Sequence, residues 1–219
     1  MRHYLALLPM MASLSACVDI PSAPKQQSVR RSTAVINPRP EARQCLGQLG
    51  RSNANFTPLP DQYFGAGCST LNTVRLASLS SDQSALSLTN LGPVACPLAN
   101  VFAGWARFGA DRAALQILGS RLVRIETMGS YNCRNIAGSD RRSAHSRAEA
   151  IDVSAFVLAD GRRISVAQGW SGGSSAERQF LQLVHASACK RFGTVLGPAY
   201  NTAHHDHFHL EYTGSSFCR

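Results

Sequence analysis

The residues of this chain best suited to chemistry gather in two places. His204, His205, His207 and His209 fall close together near the C-terminus, and His145 stands shortly before Asp152. In an extended chain successive side chains point to opposite faces. That places His205, His207 and His209 on one face, with Phe208, Leu210 and Tyr212 on the other. The apolar face can enter a core while the imidazoles line a cleft. Asp152 lies inside Ala150-Ile151-Asp152-Val153-Ser154-Ala155-Phe156, where an unpaired carboxylate would be costly. Imidazole, carboxylate and imidazole make a three-ligand set for zinc with the fourth position open. A zinc ion held there would bring the pKa of a water toward ~7 and polarise a carbonyl, which is the chemistry of peptide hydrolysis. A surface histidine run that picks up metal adventitiously is the plainer reading of the terminal cluster alone. Its pairing with His145 and Asp152 is what gives the site weight.

The elements that must carry these residues can be read from periodicity. Asn72 to Asn90 reads as extended chain with a polar turn at Ser80-Ser81-Asp82. From Pro97 the spacing Leu98, Phe102, Trp105, Phe108 is helical, and Pro97 suits a first helical position. Trp105 at that spacing reads as core, and Tyr131 as core or cleft wall. Val123 to Thr127 alternates like a half-buried strand. Ile151 to Leu158, then Asp160-Gly161, then Arg163 to Val166 is a hairpin signal. Ser175 is expected to cap a helix from Ala176 to about Phe192, with Phe180, Leu181, Val184 and Ala188 on one face and His185 in a structural role. A last strand is expected near His207 to Thr213. Mixed helices and strands without regular βαβ alternation predict an α+β fold, with a small antiparallel sheet flanked by helices.

Of 219 residues, 44% are hydrophobic, enough for a buried core. No apolar run approaches the ~18 residues of a membrane-spanning helix. The start, Met1-Arg2-His3-Tyr4 followed by apolar and small residues from Leu5 to Ala16, has the form of a secretory signal. It ends in Leu14-Ser15-Ala16-Cys17, which resembles a bacterial lipobox, making Cys17 the expected lipidation site. Residues 17–43 then read as the lipidated cysteine and a flexible tether, rich in Pro, Ser and Gln. Residues 44–219 form the expected domain. The chain has 7 cysteines, and without Cys17 an even set remains: Cys45, Cys68, Cys96, Cys133, Cys189 and Cys218. In an exported chain these read as disulfides. The expected pairing is Cys45–Cys68, Cys96–Cys133 and Cys189–Cys218, the last stapling the C-terminus to a helix. The formal charge of +9 divides between the first 43 residues and the rest, so much of it says nothing about the domain's partner.

Two blocks resemble a known superfamily. Ser143-Ala144-His145-Ser146-Arg147-Ala148-Glu149-Ala150-Ile151-Asp152 and His207-Phe208-His209 resemble the zinc D-Ala-D-Ala carboxypeptidases and dipeptidases, a group with lysostaphin-type, phage endopeptidase and hedgehog-like relatives. Ala148 stands where that pattern usually has glycine. Gly129-Ser130-Tyr131-Asn132-Cys133-Arg134 resembles its Ser-Gly-Tyr-Arg segment. A narrower resemblance runs from about Cys45 to Arg219. It rests on Tyr131–Arg134, Ser143–Asp152, Phe192–Pro198 and Asp206–Leu210, and points to the bacterial extensin-like C-terminal family.

The resemblance implies a zinc peptidase-like fold with His145, Asp152 and His209 as metal ligands. It implies Asp206 as general base, with His207 as the rival because it shares the ligand face, and Arg134 as the group that binds a substrate carboxylate or oxyanion. His204 and His205 carry no role beyond the periphery or the surface, and Glu211 could orient a ligating histidine. The expected activity is that of a zinc metallopeptidase, of D,D- or L,D-carboxypeptidase or endopeptidase type, acting on peptidoglycan stem peptides or cross-links. The expected location is the periplasm, with a lipid anchor in the outer rather than the inner membrane, and the expected state is a monomer. A non-catalytic metal-binding wall or scaffold module of the same fold is the alternative. The arginines are spread out, so a nucleic-acid partner is not expected.

Overall fold

A computed structural model describes residues 39–212 and 216–219. The expected signal sequence, the expected lipidation site Cys17 and most of the expected tether lie outside the described residues. In chain order the elements are α1 (Pro40–Arg51), β1 (Asn55–Pro58), β2 (Gln62–Gly65), β3 (Cys68–Thr70), β4 (Thr73–Ser80), β5 (Ala85–Thr89), β6 (Val94–Ala95) and α2 (Cys96–Trp105). There follow β7 (Leu122–Gly129), β8 (Ala150–Leu158), β9 (Arg163–Ser165), α3 (Val166–Gly172), α4 (Ser175–Cys189), β10 (Thr194–Leu196), β11 (Phe208–Glu211) and β12 (Phe217–Cys218). The first helix begins at Pro40, inside the segment read as tether. No helix among the described residues is long and apolar enough to cross a membrane.

The fold is α+β, with a mostly antiparallel sheet, flanking helices and three disulfides. The sheet is not small. Ten strands join it in the order β1-β4-β5-β7-β8-β11-β10-β12, with β6 added to β4 and β9 to β8; β5–β7 and β10–β12 are parallel. Several of the added strands have only two to four residues, too few to show an alternation in sequence. β2 and β3 form a separate hairpin off this sheet.

Ile151, Val153, Phe156, Phe208 and Leu210 turn into the core. There Phe156 meets Phe180 of α4, and Phe208 meets Trp170 of α3 and His185 of α4. Trp105 is fully buried, and its indole N–H donates to the Val184 carbonyl, as its helical spacing implied. After α2 the chain continues as wider, π-helical turns over Ala106–Asp111 and Ala114–Leu118, then stops at Gly119 with φ 71°. The buried Asp111 ties these turns to β7 by accepting from Leu122 N–H and from Arg121. Helix α4 starts one residue earlier than expected. Ser174 and Glu177 cap it reciprocally, each side chain accepting the other's backbone N–H.

The disulfides are Cys45–Cys96, Cys68–Cys133 and Cys189–Cys218. The last joins the end of α4 to the C-terminus as expected, but the first two pairs are exchanged relative to the sequence expectation. Cys45 sits on α1, which packs against α2, so its neighbour is the Cys96 that opens α2. Cys68 begins β3, which packs on the 3-10 turn Ala144–Arg147, and Asn132, next to Cys133, donates its N–H to the His145 carbonyl of that same turn.

Candidate metal centre

Strands β8 and β11 are antiparallel neighbours, and their register sets Asp152 directly opposite His209. Because side chains alternate, the packing of Ile151, Val153, Phe208 and Leu210 against the helices turns Asp152 and His209 to the other face. His145 reaches the same point from the 3-10 turn Ala144–Arg147, between β7 and β8. Ser143 caps that turn by accepting from His145 N–H, and Ala148 closes it in the left-handed region at φ 57°. Glycine enters that conformation with less strain than alanine.

The three side chains converge closely. His145 Nε2 lies 3.2 Å from His209 Nδ1 and 3.1 Å from Asp152 Oδ2, and His209 Nδ1 lies 2.7 Å from Asp152 Oδ1. Tetrahedral zinc with bonds of 2.0–2.1 Å separates its ligand atoms by about 3.3 Å, so one ion can cap this triangle with small adjustments. The far side of each imidazole is also held. His145 Nδ1–H donates to the Ser130 carbonyl at 3.2 Å, and His209 Nε2–H donates to Glu211 at 2.8 Å. These bonds leave His145 Nε2 and His209 Nδ1 as the ligating atoms.

Electrostatics agree with a cation site. Burial alone would raise the Asp152 carboxyl, but hydrogen bonds to His145 and His209 hold it well below the usual carboxylate range. Burial works against charging His209, yet the Asp152 and Glu211 carboxylates outweigh it and push the imidazole up to about 9. His145 and His209 are almost fully buried.

Beside the triangle, His207 Nε2 is 3.7 Å from Asp152 Oδ1, and its Nδ1–H donates to Asp206 Oδ1 at 2.8 Å. That bond holds the Asp206 carboxyl below its ordinary range. His204 was given no role in the sequence, yet its ring lies 5.1 Å from His207 and 5.7 Å from His209. Burial first, then the charges of His209 and His207, push it down to about 4. The available signal was Asn201 three residues earlier, which holds His204 Nδ1 at 2.7 Å in a 3-10 turn. His205 does not share the ligand face: the strand begins only at Phe208, and the exposed His205 bonds to the Thr202 carbonyl. Arg134 is exposed on the rim with its guanidinium on the Asn135 carbonyl, and its charge is felt at His204.

His185, Cys189 and Cys218 also lie together, but both cysteines are spent in a disulfide. His185 packs between Trp170 and Phe208, a structural position.

The fold and site therefore define an α+β, disulfide-bonded domain with a His-Asp-His cluster able to hold a metal ion on one face of its sheet. The chain belongs to the family described as extensin-like protein C-terminus, whose model matches residues 43–219. No curated protein and no solved structure matches it.

Proposed function

We propose that this domain is a zinc-dependent peptidase of the D-Ala-D-Ala peptidase-like kind, acting on stem peptides or cross-links of peptidoglycan. The observation that carries the reading is the convergence of His145 Nε2, Asp152 and His209 Nδ1 beside the Asp206–His207 pair. His145, Asp152 and His209 would hold the metal, which when bound supplies a Lewis acid that activates water and polarises the peptide carbonyl.

The chain's own groups then have distinct tasks. His207 moves the proton at its Nε2, taking it from the attacking water and delivering it to the departing amine. Asp206 holds the His207 ring through Nδ1–H and stabilises the imidazolium that forms. This shares between two residues the role that resemblance assigned first to Asp206. Arg134 offers a planar fork to a substrate carboxylate at the rim. Ser130 and Glu211 keep the ligating imidazoles in the right tautomer. An envelope location with a lipid anchor at Cys17 belongs to the same proposal.

The test has two parts. Purified protein is expected to hold about one zinc per chain, and to release new fragments from isolated peptidoglycan, read by mass spectrometry. A zinc-loaded protein that cuts no wall type would favour a non-catalytic module; a protein that binds no zinc would remove the centre itself.

A further inference from the structure

Exposed aromatic side chains stand next to this site without a partner layer. On β2, Tyr63 is 74% and Phe64 53% exposed, although aromatic rings are usually at least partly buried. Their hairpin is nevertheless tightly held. Its turn passes through Gly65, Ala66 and Gly67, all at positive φ (80°, 48° and 82°). Arg142 Nε–H donates to the Ala66 carbonyl at 2.6 Å, and Asp61 accepts from Asn72 N–H at 2.7 Å at the hairpin base. Cys68–Cys133 bolts β3 to the loop that carries Tyr131 and Arg134, and β3 packs on the 3-10 turn that carries His145. The Phe64 and Tyr131 rings lie 5.4 Å apart, tilted by 41°. Tyr131 directly follows Ser130, whose carbonyl orients His145. The platform is therefore continuous with the metal centre.

We infer that Phe64 and Tyr131 form a stacking platform for an N-acetylated glycan strand, seated beside the metal centre. The inference rests on the proposed function for one point, that the glycan is the strand bearing the stem peptide. A pyranose ring has an apolar face of C–H groups, weakly positive, which packs on the negative face of an aromatic ring. Its hydroxyl and acetamido edges need polar neighbours, and Gln62, Asn132 and Arg134 supply them on the same elements. The exposed area disfavours a protein partner. The exposed parts of Phe64 and Tyr131 amount to roughly 200 Å², well short of the ~800 Å² per partner of a stable protein complex. The rigid frame fits a preorganised subsite, because little order is lost on binding.

The experiment is a calorimetric titration of the full chain with a hexamer of N-acetylglucosamine. This probe carries no peptide, so its binding is read whether or not the metal centre hydrolyses anything. Loss of wall hydrolysis with intact hexamer binding would sink the peptidase reading alone. Saturable binding is expected for the unmodified chain. Phe64→Ala combined with Tyr131→Ala should weaken it at least tenfold, while Tyr131→Phe should retain it. No hexamer binding by the unmodified chain, or equal binding by the double variant, would overturn the platform. So would a double variant that instead loses self-association, or loses cosedimentation with vesicles of phosphatidylethanolamine and phosphatidylglycerol.

Discussion

Glu211 accepts the Nε2–H of His209 at 2.8 Å while Nδ1 of the same ring lies 2.7 Å from Asp152. One imidazole is thus gripped from both ends, by two carboxylates on neighbouring strands. His209 would hold a metal through Nδ1, in place of the proton shared with Asp152, with its Nε2–H bond to Glu211 kept. Glu211 thereby fixes the tautomer and makes the ring a better donor. Glu211→Gln is expected to lower zinc affinity by about 10- to 100-fold, measured by competition with a chelator, without loss of fold. His145→Ala removes a ligand and should leave the protein free of zinc. Equal affinity in Glu211→Gln and the unmodified protein would show that the grip has no part in metal binding.

The Asp206–His207 pair makes a graded prediction. If His207 moves the proton, His207→Ala should lower peptidoglycan hydrolysis by about 10²- to 10⁴-fold. Asp206→Asn should lower it less, because the ring stays in place with a weaker partner. Both variants should keep their zinc. A dead Asp206→Asn beside an active His207→Ala would reverse the assignment, and fragment yields from one peptidoglycan preparation decide it.

How far these residues were legible in the sequence follows from the range of the forces that place them. Asp152 and His209 were both visible, since a carboxylate and an imidazole in alternating apolar strands need partners. Their face-to-face register was not visible, because strand pairing is set by non-local packing. His205 was misplaced for a local reason: the expected alternation was extended backward from Phe208 into a 3-10 turn. That turn brings His204 to the site instead. The long, periodic elements, α2, α4, β7 and the β8–β9 hairpin, were readable. The short strands that enlarge the sheet were not, and neither was the pairing of cysteines brought together by tertiary packing.

The Cys45–Cys96 bridge closes a span of 51 residues between α1 and α2. Chain entropy alone assigns such a crosslink about 4 kcal/mol. The double variant Cys45→Ser with Cys96→Ser should lose stability of that order in urea unfolding. Peptide mapping under non-reducing conditions should recover Cys45 with Cys96 and Cys68 with Cys133. A Cys45–Cys68 peptide would contradict this connectivity.

Ala148 is fully buried and holds φ 57°. Glycine there would relieve a left-handed penalty of about 1–2 kcal/mol, and removal of the buried methyl would cost about 0.8 kcal/mol. The two effects nearly cancel, so Ala148→Gly should unfold within about 1 kcal/mol of the unmodified protein and bind zinc equally well. Ala148→Val adds bulk and β-branching at a conformation that branched residues avoid. It should destabilise the protein and weaken metal binding together, because the same turn aims His145. Thermal midpoints and zinc content of the two variants test this.

Asp82 joins the turn after β4 to the π-helical segment. It accepts from Arg107 Nε at 2.7 Å and from Arg112 Nε at 2.8 Å. The Arg112 hydrogen bond first, then that of Arg107, holds its carboxyl far below the ordinary 3.8. For a carboxyl lowered by folding, the stabilisation is complete above the unfolded value and is lost as pH falls through the folded one. The Asp82→Asn variant should therefore melt slightly below the unmodified protein at neutral pH. The gap should narrow steadily from about pH 5 to about pH 2, as the unmodified protein loses what the variant already lacks. Because these groups are exposed to solvent, the gap should be small and should shrink further in about 1 M salt. A gap that stayed constant with pH would mean that Asp82 acts through packing or hydrogen bonding independent of its charge.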